Sequence, residues 1–122
     1  MQPELQHILG QEFPLLYQDV NIECGDGWFD LLKALSKKLY PLMEKSRMTS
    51  NEFDVFPYVD HVFEDYGSLR FFMVNPTDDM KNLIYDYEDR SQEICEVCGE
   101  AGKIDYSKYW LEARCKTCRQ RQ

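Results

Sequence analysis

At 122 residues the chain matches one ordinary domain of about 100–150 residues, and its 43% hydrophobic, 14% aromatic composition excludes global disorder by supplying apolar surface for a core. The formal net charge of −8 is unevenly placed: residues 1–94 carry eight lysines and arginines against eighteen aspartates and glutamates, a balance of −10, while residues 95–122 carry six against four, a balance of +2. An acidic body repels phosphate backbones, which weighs against a dedicated nucleic-acid binder and suits docking on a basic protein.

The opening "MQPELQHILGQEFPLL" has no basic leader and is interrupted by Gly10 and Pro14, so it does not read as a signal peptide. No run approaches the roughly 18 apolar residues that span a bilayer, and a cytoplasmic protein without a membrane partner is expected. Broken by Pro3, Gly10 and Pro14, the first twenty residues predict one short helical turn and an extended lead-in. The clearest helix follows in "CGDGWFDLLKALSKKLYPLMEKS", where Trp28, Leu31, Leu32, Leu35, Leu39, Leu42 and Met43 recur at the spacing of one buried face. Asp26 is expected to cap it, Gly25 and Gly27 to loosen the turn into it, Trp28 to anchor it, and Pro41 to kink it. "GDGW" lacks the lysine and third glycine of a phosphate loop.

Between Phe53 and Tyr66 the apolar positions Val55, Phe56, Val59, Val62 and Phe63 predict a helix ended by Gly67, with a hairpin turning at "YGS" as the competing reading. "SLRFFMV" predicts a strand. Thr77 then caps a helix in "DDMKNLIYDYEDRSQEI", with Met80, Leu83, Ile84, Tyr87 and Ile94 on one face and Ser91 as a polar gap. Asp60, Glu64, Asp65, Asp86, Glu88 and Asp89 read as solvated faces, or as an acidic surface that imitates nucleic acid or matches a basic protein. His7 and His61 belong to no recognisable catalytic pattern. Arg70 is a candidate anion-binding residue, with a salt bridge to a nearby carboxylate as the plainer role.

The strongest chemical signal lies in the tail. Cys95-x2-Cys98 and Cys115-x2-Cys118 are separated by sixteen residues, inside the C-x2-C-x15–20-C-x2-C spacing of tetrahedral zinc sites. Each pair bends two thiolates toward one ion at about 2.3 Å, Gly99 relaxes the backbone after the first bend, and "KIDY" and "YWLEAR" form a hairpin that returns the second pair to the first. Four thiolates fill the shell of Zn²⁺, so the site reads as structural, with iron the chemical alternative. Cys24 stands apart as a small buried residue. Lys116, Arg119 and Trp110, with Arg121, Tyr106 and Tyr109 beside them, are candidates for binding single-stranded nucleic acid. The competing reading makes the cations counter-charges to the thiolates and lets Trp110 cover the hairpin.

The order of "GDGWFDLL", "FEDYGSLRFF" and "ICEVCGEAG" resembles a group of small, mostly uncharacterised phage and prophage proteins. They combine a GDGW helix start, a KEKFGGLRFY-like segment, CEVCGxPG and a final pair of metal ligands. The resemblance covers residues 24–118 and implies a phage context. The chain departs from it at Asp65, where a lysine-like residue stands, at Ser68, a glycine position, and at Ala101, often proline. Together these readings predict an α+β fold: a mainly helical acidic body over 1–94 with a short strand, and a zinc-ribbon-like hairpin over 95–122. The expected function is non-enzymatic protein binding, including inhibition of a host defence or metabolic factor. The alternatives are a nucleic-acid-binding ribbon and a small-ligand or nucleotide binder that uses Arg70.

Overall fold

Gly10 does not stop the first helix: α1 spans Pro3–Glu12, starts on a proline that fits the first helical turn, and buries Leu9. The helix is therefore longer than the single turn expected. The computed structural model describes residues 1–49 and 56–120. It gives an α+β fold in which a short strand β1 (Ile22–Glu23) and a 3-10 turn (Asp26–Trp28) lead into the long helix α2 (Phe29–Thr49). β2 (Tyr58–Asp65), β3 (Ser68–Val74) and α3 (Asp78–Ser91) follow, then β4 (Lys103–Ile104), β5 (Ala113–Arg114) and α4 (Lys116–Gln120). No helix among the described residues is long and apolar enough to cross a membrane.

The stripe predicted for α2 is the buried one. Leu31, Leu32, Leu35, Leu39 and Met43 point into the core, and the helix continues through an exposed Pro41. Ser36, within that face, is fully buried but satisfied: its hydroxyl donates to Leu32 O at 2.6 Å and accepts from the Tyr17 hydroxyl at 2.6 Å. Burial pushes the Tyr17 phenol pKa up, so it remains a neutral donor. Asp26 is not the side-chain cap. Gly25 holds the cap position of the 3-10 turn, and the Asp26 carboxylate accepts from Gln2 N–H at 2.9 Å, tying the chain start to this turn.

The segment expected to be helical is a strand, and the reason lies in one residue. β2 pairs parallel with β1 and antiparallel with β3, and its register slips between Val59 and His61. The extra residue, Asp60, makes a β-bulge, so Val59 and Val62 both face the core although they are three apart. A bulged strand thus imitates helical spacing. The predicted positions Phe53 and Val55 lie outside the described residues.

α3 is capped as the sequence predicts, with Thr77 Oγ1 accepting from Met80 N–H at 3.3 Å. It packs Met80, Ile84 and Tyr87 against the sheet and α2. Its polar gap is functional in the fold: Ser91 Oγ accepts from Leu69 N–H on β3 at 2.8 Å and donates to Glu88 O at 2.5 Å. Glu88, expected on a solvated face, is half-buried and accepts from Phe71 N–H at 2.9 Å. Glu64 similarly accepts from Gly67 N–H in the β2–β3 turn at 2.9 Å.

Burial raises the Glu88 carboxyl above its ordinary value of 4.5, against the opposing pull of Phe71 N–H and Arg70. A carboxyl with a raised folded pKa holds its proton more tightly in the folded chain. Its contribution therefore favours folding at low pH and is lost as pH rises through the raised value. Glu88→Gln should flatten the fall in Tm with rising pH across the weakly acidic range, as melts from about pH 4 to pH 7 would read. An unchanged slope would show that Glu88 titrates alike in both states.

Candidate metal centre

The first cysteine pair is placed by the end of α3. Three turn bonds (Gln92 N–H to Asp89 O, Glu93 N–H to Arg90 O, Ile94 N–H to Ser91 O) reverse the chain, and Cys95 follows, fully buried. Cys95 N–H donates to Glu100 O at 2.8 Å and Gly99 N–H to Cys95 O at 2.9 Å. Gly99 takes φ +84°, a conformation that only glycine adopts freely, so the bend predicted after the first pair is real. The second pair arrives by the expected hairpin, β4 with β5, and α4 carries Cys118 one turn beyond Cys115.

The Sγ atoms of Cys95, Cys98, Cys115 and Cys118 all lie within 4.8 Å of one another, and these four residues could hold a metal ion. Cys98 Sγ and Cys115 Sγ are 3.6 Å apart. That is too far for a disulfide and close to the roughly 3.8 Å edge of a tetrahedron built on 2.3 Å metal–sulfur bonds. Burial pushes the Cys95 thiol up, but backbone N–H donors from Cys98, Cys115 and Val97 outweigh it and hold the pKa down to about 6. Cys118 N–H lowers Cys115 in the same way. Each pair thus supplies one sulfur shifted toward thiolate. The remaining protons are retained among the sulfurs, with the hydrogen bond to Cys115 pushing Cys118 up to about 12. A cation would replace those shared protons. Cys24 lies outside this group in the main core, and burial pushes its thiol up to about 12.

The centre is fastened to the body through a residue that the sequence reading passed over, Glu96. Its backbone O accepts from Gly27 N–H at 2.7 Å, its Oε2 from Gly25 N–H at 2.8 Å and its Oε1 from Arg114 Nη1 at 3.2 Å, while its N–H donates to Ala113 O at 2.9 Å. Trp28 Nε1 donates to Ile94 O at 3.0 Å beside it. A Cβ on Gly27 would fall inside the Cys95 carbonyl oxygen, and one on Gly25 inside the Glu96 carbonyl. These glycines serve close backbone approach rather than a flexible turn. The only sequence signal was the pair GDGW and CEVC, seventy residues apart.

The other candidates are spread more widely. Arg70 Nε lies 3.8 Å from Asp65 Oδ2, the salt bridge considered for it. Arg119 is occupied by Asp105 at 3.6 Å and by the carbonyls of Lys103 (2.6 Å) and Arg114 (3.2 Å), so it braces the hairpin. Lys116 is exposed. Trp110 does not cover the hairpin: it is 68% exposed, beside Tyr106 at 73% and Tyr109 at 101%. Ala113 and Ile104 seal the hairpin to the core instead, next to the Gly67 turn. Asp105 Oδ1 accepts from Ser107 N–H and Oγ, which fixes the start of the aromatic loop. Compared with known protein families, curated proteins and solved structures, the chain matches none.

Proposed function

We propose that the protein is a non-enzymatic, zinc-binding accessory protein of phage type that acts in the host cytoplasm by binding another protein, including a host defence or metabolic factor that it inhibits. The spacing of the cysteines and the convergence of four soft sulfur donors, the set of structural zinc sites, support Zn²⁺ as the metal. Cys95, Cys98, Cys115 and Cys118 complete its shell and leave no position for substrate, so its role is structural.

One observation carries the binding role: the braced loop between β4 and β5 presents Tyr106, Tyr109 and Trp110 to solvent. Tyrosine and tryptophan are the residues that most often dominate interface energies, because they cover large areas at low entropy cost. The acidic body beside them suits a basic partner. Nucleic acid is the weaker reading, since Arg119 is already engaged and four thiolates with one Zn²⁺ add two negative charges nearby.

Affinity capture from bacterial host lysate tests this directly. The wild-type protein should retain a partner that a Tyr109→Ala/Trp110→Ala variant loses by at least about tenfold, with both proteins equally folded and zinc-loaded. Identical captured sets would overturn the assignment.

A further inference from the structure

The free edge of β3 is closed by side chains from α3 at two positions and left open at a third. Leu69 N–H is met by Ser91 Oγ and Phe71 N–H by Glu88 Oε2. Strand amides point to the same edge at every second residue, so Met73 N–H faces α3 as well. Among the described residues no side chain accepts from it. The cause is a mismatch of rise. Two strand residues advance about 6.6 Å, whereas the three helix residues from Ser91 to Glu88 advance about 4.5 Å. A short hydroxyl bridges the first position and a longer carboxylate the second. At the third a hollow of about 240 Å³ remains, lined by Arg70, Phe72, Met73, Lys81, Ile84 and Tyr85, among others.

The chemistry of the hollow names its occupant. Phe72 and Tyr85 are largely exposed at its mouth, and Met73 and Ile84 form an apolar floor. Among the described residues Lys81 has no ion pair, Arg70 is held by Asp65 only at 3.8 Å, and the one lining carboxylate, Glu88, is already bound to Phe71 N–H. The hollow is smaller than the roughly 300–1,000 Å³ of sites for drug-sized ligands. It therefore suits a group the size of one residue. One uncommitted cation and one inward N–H match a single planar anion, whereas a phosphate would ask for more donors.

We propose that this hollow binds the carboxylate of an apolar ligand, with one oxygen on Met73 N–H, the charge facing Lys81, and the apolar group between Phe72 and Tyr85. A free carboxylic acid and the C-terminus of a peptide share this chemistry. The test uses the zinc-loaded full chain, ¹⁵N-labelled, titrated separately with N-acetylleucine, N-acetylleucinamide and the peptide acetyl-Gly-Gly-Leu. The acids should shift the Met73 amide saturably at millimolar concentration or below, and the amide should bind at least about tenfold more weakly. Tighter binding of the peptide would support the proposal with a chain terminus as ligand, and equal binding would support it with a small acid. Lys81→Met, a change at an exposed position, should weaken the acids by about tenfold and leave the fold intact. No saturable shift at Met73, or equal binding of acid and amide, would overturn it.

Discussion

Gly27→Ala should be the most damaging single methyl group that can be added to this protein. The new Cβ has no flexible neighbour to displace, because it meets the backbone of Cys95 and Glu96. Relief requires the first cysteine pair to move away from the body. That would break Gly27 N–H to Glu96 O, Gly25 N–H to Glu96 Oε2 and Trp28 Nε1 to Ile94 O together. Overpacking of this kind costs about 1–3 kcal/mol and each hydrogen bond about 1 kcal/mol, so a loss of roughly 4 kcal/mol is expected in denaturant unfolding. Gly10→Ala is the matching control. Its Cβ would meet nothing closer than 3.9 Å, and alanine favours a helix by about 0.5–1 kcal/mol, so it should stabilise slightly. A Gly27→Ala protein within about 1 kcal/mol of wild type would refute the close-approach account.

Metal removal should have the other large effect. The buried residues divide into a main apolar core and a separate group formed by Cys95, Cys115 and Cys118. In small metal-dependent units, Zn²⁺ binding supplies on the order of 10–16 kcal/mol of folding free energy, far more than two-residue strands can provide alone. Chelation, or Cys95→Ser, should therefore unfold the ribbon while β2, β3, α2 and α3 keep their structure. With the three latch hydrogen bonds gone, the body should lose about 3 kcal/mol, which lowers its Tm by roughly 10–20 °C. Amide spectra with and without chelator would show which residues collapse, and bound metal would be counted by elemental analysis. Cys24→Ala should retain one metal per chain. Unchanged metal content and melting in Cys95→Ser would remove the metal assignment altogether.

What could be read from residue order was what repeats at a fixed interval. The x2 and sixteen-residue spacings of the cysteines named the four residues whose sulfurs converge, and the α2 stripe and the Thr77 cap also follow from local periodicity. What could not be read depends on a single residue that breaks a period or on pairs far apart. Asp60 bulges β2 and turns a strand into apparent helix spacing. Glu96 looks like a solvated charge between two cysteines, yet it binds the body, the hairpin and Arg114. Trp110 suggested a cover for the hairpin by its size. The small, fully buried Ala113 has that place together with Ile104, whose side chain lies where a Cβ on Gly67 would have to go.

The Glu96 latch also sets an order of events. Gly25 is made 71 residues before Glu96, and the contact closes a loop over that whole interval. Closing so long a loop carries an entropy cost that a few hydrogen bonds alone do not outweigh, so the groove at Gly25–Gly27 must be shaped first by the helical body. During synthesis the N-terminal part emerges and folds earlier. Metal capture would then come last, when the knuckle finds a receptor already in place, and it would lock the first quarter of the chain to the start of the last.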